Sequence, residues 1–123
     1  MKMGIKQLFH EIKNHPDYEN AGMILCHNGI VRNTSRDGRP VTGLTVQVDH
    51  ARLQAIIEKR KQDPGIIEIL VEIQEKQKLA VGDDVMFLVV AGDIREHVIQ
   101  TLQSTLDAIK STATQKIEFF DTP

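Results

Sequence analysis

The side chains in this 123-residue chain best suited to chemistry are basic, and they stand where elements begin or end. Arg32 leaves an apolar run. Arg36 and Arg39 lie in the polar stretch that follows, NTSRDGRP over 33–40. Arg95 opens a helical pattern, Lys110 closes it, and Lys116 comes shortly after. A guanidinium is a planar fork that grips phosphate or carboxylate through two parallel hydrogen bonds. A lysine ammonium can stabilise negative charge that develops on a reacting oxygen. Each residue also has a plainer use. Loop arginines are commonly solvated charges, and Lys110 near a helix C-terminus complements the helix dipole. Arg95 opposes that dipole, so it either pairs with Asp93 or Glu96 or holds an anion. Arg95 and Lys110 are 15 positions apart (110 − 95). On one helix that spacing is roughly 22 Å, too far for both to touch one small ligand. If both serve one site, they come from two chains, and a homodimer follows.

Other chemistries lack their residues. There is no carboxylate pair, Ser/His/Asp set, Gly-Lys-Ser/Thr loop or GxGxxG, so no cofactor is called for. Cys26 is the single cysteine and reads as a small core residue. His10, His15, His27, His50 and His97 are scattered without metal-ligand spacing, and each reads as a surface or capping side chain. The net charge is −2, aromatics make up 4%, and there is no Trp. A nucleic-acid binder needs the opposite balance. The longest apolar run, Val85–Ala91, is far short of the roughly 18–20 residues of a membrane span. Met1–Lys13 lacks the apolar centre of a signal peptide. These features lead us to expect one domain over 1–123 in a cytoplasmic protein, without membrane or nucleic-acid partners.

The elements that must position the basic residues follow from periodicity. Ile5, Leu8, Phe9 and Ile12 make an apolar helical stripe that ends before Pro16. Ala21–Arg32 reads as a buried strand. The loop 33–40 contains the turn pair Asp37-Gly38 and is expected to be mobile without ligand. Leu44, Val46 and Val48 alternate as a strand, and Ala51–Gln62 reads as a helix stopped by Asp63-Pro64-Gly65. Ile67–Gln74 alternates again. Gly82-Asp83-Asp84 is a turn, and Val85–Ala91 is apolar on both faces, hence central in a sheet. Ile94–Lys110 is the longest helix, and Lys116–Phe120 returns as a strand. The order α-β-β-α-β-β-α-β, with strands paired through short turns, predicts an α+β fold with a largely antiparallel sheet and flanking helices.

Over about residues 18–120 the chain resembles the catalytic (large) subunit of molybdopterin synthase, the MoaE-like family. The resemblance rests on Gly29-Ile30-Val31-Arg32-Asn33 before a Gly-containing loop and Leu44-Thr45-Val46 in the next strand. It continues in Leu79-Ala80-Val81-Gly82-Asp83 before Val85–Val90, and in Arg95 and Lys110 at matching helix ends. It implies an α/β hammerhead-like fold in a homodimer core. It also implies a small ubiquitin-like sulfur-carrier subunit whose Gly-Gly thiocarboxylate tail enters the active site. Sulfur would pass to cyclic pyranopterin monophosphate, in molybdenum cofactor biosynthesis. Arg32, Arg36, Arg39 and Arg95 would bind the anionic substrate, and Lys110 and Lys116 would be catalytic, as base or as electrophilic stabiliser in the transfer. The family histidine before the helix arginine falls on Ile94, and the family His-Arg pair falls on Gln74-Glu75. The second family lysine falls on Ile117, one position from Lys116, and a one-residue offset in a strand changes the face. A second class of function therefore stands beside the sulfurtransferase: a catalytically degenerate homologue acting as a dimeric binding or regulatory module.

Overall fold

A computed structural model of the chain describes residues 4–75 and 77–121. Among the described residues, six strands form two antiparallel three-stranded sheets, flanked by three α-helices. Strand β5 (Asp84–Gly92) is the centre of the first sheet, between β1 (Met23–Ile30) and β3 (Ile66–Ile73). Its alternation explains its composition. Met86, Leu88 and Val90 face one way, into a core with Ile57, Ile69, Val98 and Ile109. Phe87, Val89 and Ala91 face the other way, onto Leu8 and Ile12 of helix α1 (Ile5–Lys13). Burying a Val, Leu or Ile side chain contributes roughly 1.5–3 kcal/mol. A strand covered on both faces therefore anchors the whole layer.

The first core is closed by helices α2 (His50–Arg60) and α3 (Arg95–Ala108). Asp49 caps α2, its Oδ1 accepting from the Arg52 amide at 3.1 Å. Beyond α2, Gly65 has φ +75°, and a Cβ there would come within 2.1 Å of Asp93 Oδ1. Glycine is needed there both for the turn and for the close approach.

The second sheet has the order β4-β2-β6, from Leu79–Ala80, Val41–Val48 and Thr114–Phe120. Val31, Leu44, Val46 and Leu79 form a small core at its junction with the first sheet. The mixed α and β class, the antiparallel pairing and the central place of β5 match expectation. Three details differ. The strands fall into two sheets, because β1 and β2 pair with distant strands, and the loop between them is closed by an isolated Thr34–Pro40 bridge. The strand expected to reach Arg32 ends at Ile30, where a bulge at Gly29/Ile30 redirects the chain. Val31 then exchanges bonds with the turn: its amide donates to the Asp83 carbonyl, and its carbonyl accepts from the Gly82 amide. Finally, the α-helix stops at Ala108 and continues as a wider π-type turn, Ile109–Ala113. That turn carries Lys110 and delivers the chain into β6.

Candidate functional site: a basic cleft between the sheets

The π-type turn is held by its buried side chains. Ile109 and Ala113 point into the first core, so Lys110 between them is left exposed. Hydroxyls of Ser111 and Thr112 donate back to the carbonyls of Asp107 and Ala108 at 2.8 and 2.7 Å, bracing the turn. Strand β6 follows directly. Its register on β2 places Lys116 opposite Val46 and Glu118 opposite Leu44. Opposed residues share a face, so Lys116 lies on the side of Leu44 and Val46, whereas Ile117 is exposed on the other side.

These positions converge on a cleft of about 330 Å³ between the sheets. Leu44, Val46, Ile73, Val85 and Met86 supply apolar walls, and Arg36, Lys110 and Lys116 supply the charge. A neighbouring opening of about 550 Å³ shares Arg36, Lys110 and Lys116 and adds Arg32 and Glu118. The structure thus brings together four of the six basic residues singled out by sequence. Arg32 Nε donates to the Thr34 carbonyl at 3.0 Å, which orients its guanidinium. The remaining two lie elsewhere. Arg39 stacks over the Phe120 ring, 3.7 Å from its centroid, and does not line either opening. Arg95 sits at the opposite end of α3, exposed, with Nε 3.1 Å from Glu96 Oε1. That contact is the ion pair with Glu96, one of its two expected uses.

The loop expected to be mobile has its own bonding. The Ser35 amide donates to the Arg39 carbonyl at 2.9 Å, and the Arg39 amide donates to Ser35 Oγ at 3.1 Å. The Ser35 hydroxyl also donates to Asp37, and this bond, foremost, holds the Asp37 carboxyl below its ordinary pKa. Arg36 projects from this closed turn.

One residue lining the cleft was read from sequence as a surface or capping side chain. His27 stands on β1, on the face of Met23 and Leu25, and borders the cleft beside Lys110. Burial, followed by the nearby Lys110 charge, pushes its pKa below the ordinary histidine value. The signal was present in the period-2 alternation that puts His27 on the core side of its strand. Cys26, on the other face, packs against the core under α1, and burial pushes its thiol pKa up, away from a reactive thiolate. Among the described residues no group of three or more His, Cys, Asp or Glu side chains is placed to hold a metal. No helix among them is long and apolar enough to cross a membrane.

Comparison with known proteins gives the cleft a context. The family model described as MoaE protein matches residues 3–112. Among curated proteins none matches the sequence. Molybdopterin synthase from Staphylococcus aureus is similar in structure, with a TM-score of 0.79 and 17% identity over 98% of this chain and 88% of its own. The complex of subunits 1 and 2 of molybdopterin-converting factor from Helicobacter pylori is also similar. It gives 0.72 and 17% over 98% of this chain and 82% of that one. Molybdopterin cofactor biosynthesis protein E from Burkholderia multivorans gives 0.75 and 16% over 99% and 88%. At these identities the solved structures speak to the fold, which is shared along nearly the whole chain. The family match covers most of the sequence as well, and the chain belongs to the MoaE protein family.

Proposed function

We propose that the basic cleft is a sulfur-transfer site, where a carrier-protein thiocarboxylate passes sulfur to cyclic pyranopterin monophosphate. Family membership and the shared fold support the broader statement, a role in molybdenum cofactor biosynthesis. The observation that carries the finer reading is the convergence of Arg36, Lys110 and Lys116, from the β1–β2 loop, the π-type turn and β6, on one apolar-walled cleft, with Arg32 in the opening that adjoins it. Its charge suits a substrate bearing a phosphate and a carrier tail ending in an anion. Arg32 and Arg36 hold the phosphate through charge-assisted bonds. Lys110 and Lys116 donate to the acyl oxygen as negative charge grows on it.

The partner is a small ubiquitin-like carrier with a Gly-Gly tail. The Helicobacter pylori relative is itself a complex of two subunits, which supports a two-protein arrangement. An extended tail is narrow enough for an opening of this size. The working unit is a homodimer of single-domain, cytoplasmic chains. Arg95 lies a helix-length from Lys110 in its own chain, so it reaches a cleft only across the dimer. Arg39 supports the rim through Phe120.

The test combines the purified protein, a thiocarboxylated Gly-Gly carrier and cyclic pyranopterin monophosphate, with molybdopterin as readout. Product formation is expected. Carrier binding without product would instead fit the binding or regulatory module.

A further inference from the structure

Sulfur transfer from a thiocarboxylate poses a proton problem that the cationic residues of the cleft do not solve. Once the carrier's sulfur is bonded to the substrate carbon, it still bridges to the carrier's acyl carbon as a thioester. Water must attack that carbon to free the sulfur. The attacking oxygen forms a C–O bond as it loses a proton. The C–S bond then breaks, and sulfur leaves with the electron pair as a thiolate on the substrate. Arginine and the lysine ammonium only donate hydrogen bonds. Arg36, Lys110 and Lys116 therefore cannot receive the water's proton in their charged forms.

We propose that His27 is the proton acceptor of the cleft, taking that proton at Nε2 and returning it to the departing thiolate; this rests on the sulfur-transfer reading above. The carrier leaves as a carboxylic acid that ionises to solvent, so atoms and charge balance with water as the only co-reactant. Three observations support the assignment. His27 Nε2 is buried and has no hydrogen-bond partner among the described residues. A buried polar atom is normally satisfied, so an orphan needs an explanation, and a catalytic role is one. His27 also borders the same cleft as Lys110 and Lys116. The residue beside the ring nitrogen is Gly29, where even a Cβ would sit 3.5 Å from Nε2. Gly29 also lines the cleft, so the ring nitrogen lies next to a cleft-lining residue that has no side chain.

The surroundings favour a neutral ring. Burial and the Lys110 charge both disfavour imidazolium, so Nε2 can accept when the ring proton is on Nδ1. The charged groups lining the cleft are Arg36 from the loop, Lys110 from the π-type turn and Lys116 from β6; β2, β3 and β5 line it with apolar side chains. No carboxylate among these lining residues pulls the histidine towards the charged form.

The test measures molybdopterin formation from about pH 5 to about pH 9 for the wild type, His27→Gln and His27→Phe, with carrier affinity and thermal unfolding measured in parallel. The wild type should lose activity on the acid side, with a midpoint below the ordinary histidine pKa of about 6.5. His27→Gln should be at least about 100-fold slower, bind the carrier normally, and lack that acid limb. His27→Phe should do the same and guards against misfolding of the glutamine variant. A folded variant within about twofold of wild type, acid limb intact, would overturn the assignment while leaving the sulfur-transfer reading in place. A wild type that makes no product would remove the reading itself, and His27's role with it. If both variants unfold, the wild-type profile decides, and a flat acid side overturns the proposal.

Discussion

Lys110 carries the largest share of the proposed chemistry, because it lines both openings of the cleft, as Arg36 and Lys116 do, and is in addition fixed by two buried neighbours. Lys110→Ala is expected to slow sulfur transfer by about 100- to 1,000-fold, the usual effect of losing one oxyanion donor. The oligomeric state, checked by sedimentation, should not change. The same substitution removes a cation beside His27, so the His27 pKa should rise towards its ordinary value, which ring-proton NMR would read. His27 also couples stability to pH. Its folded pKa is depressed, so below the unfolded value of about 6.5 the unfolded chain binds the extra proton. Stability should therefore fall as pH drops from about 6.5 towards the folded pKa, and His27→Phe should remove that part of the slope in urea titrations. Arginine and lysine were legible by type and by their places at element ends. Which of them share a cleft was not, since Arg39 and Arg36 differ only in which way a closed turn points them. The face of Lys116 depends on its register with β2, which residue types alone do not set.

The π-type turn is the element that most directly shapes the site. Ile109 is fully buried in the first core and is followed at once by Lys110. Ile109→Val should cost roughly 0.5–1.5 kcal/mol, and Ile109→Ala roughly 2–5 kcal/mol. The alanine variant should also lose sulfur transfer beyond what its stability explains, because Lys110 loses its anchor. Denaturant titration and activity on the same samples would separate the two effects. Gly65→Ala makes a contrast. It puts a Cβ into a positive-φ turn against Asp93 and His97, residues that line neither opening of the cleft. It should cost about 1–3 kcal/mol and leave carrier affinity unchanged. The α1 stripe, the Asp63-Pro64-Gly65 stop and the two-faced β5 were legible because each is a local pattern. Assignment of strands to two sheets was not, because β1 pairs with β5 and β2 with β6 across long stretches of chain. The two-residue β4 carries too little alternation to announce itself, and a helix and a π-type turn share nearly the same apolar spacing.

For the assembled molecule, the separation of Arg95 from Lys110 becomes a prediction about subunits. In a homodimer with shared sites, Arg95→Ala and Lys110→Ala should each be inactive alone. Mixing them and allowing subunit exchange should restore about a quarter of wild-type activity, since half the dimers are mixed and each regains one intact site. Zero recovery with proven exchange would place Arg95 outside the site. The exposed apolar side chains Ile94 and Ile99 lie on the same segment as Arg95, where a partner surface would cover them. The most direct measurement concerns where the carrier's tail goes. Carbodiimide joins a carboxylate to an amine at zero length, so a carrier ending in a Gly-Gly carboxylate can be fixed to the lysine its tail reaches and mapped by mass spectrometry. The terminal glycine is predicted to link to Lys110 or Lys116. A bound carrier whose tail links instead to Lys59 or Lys61 on and beside α2, and to neither cleft lysine, would contradict the assignment of the cleft as the sulfur-transfer site.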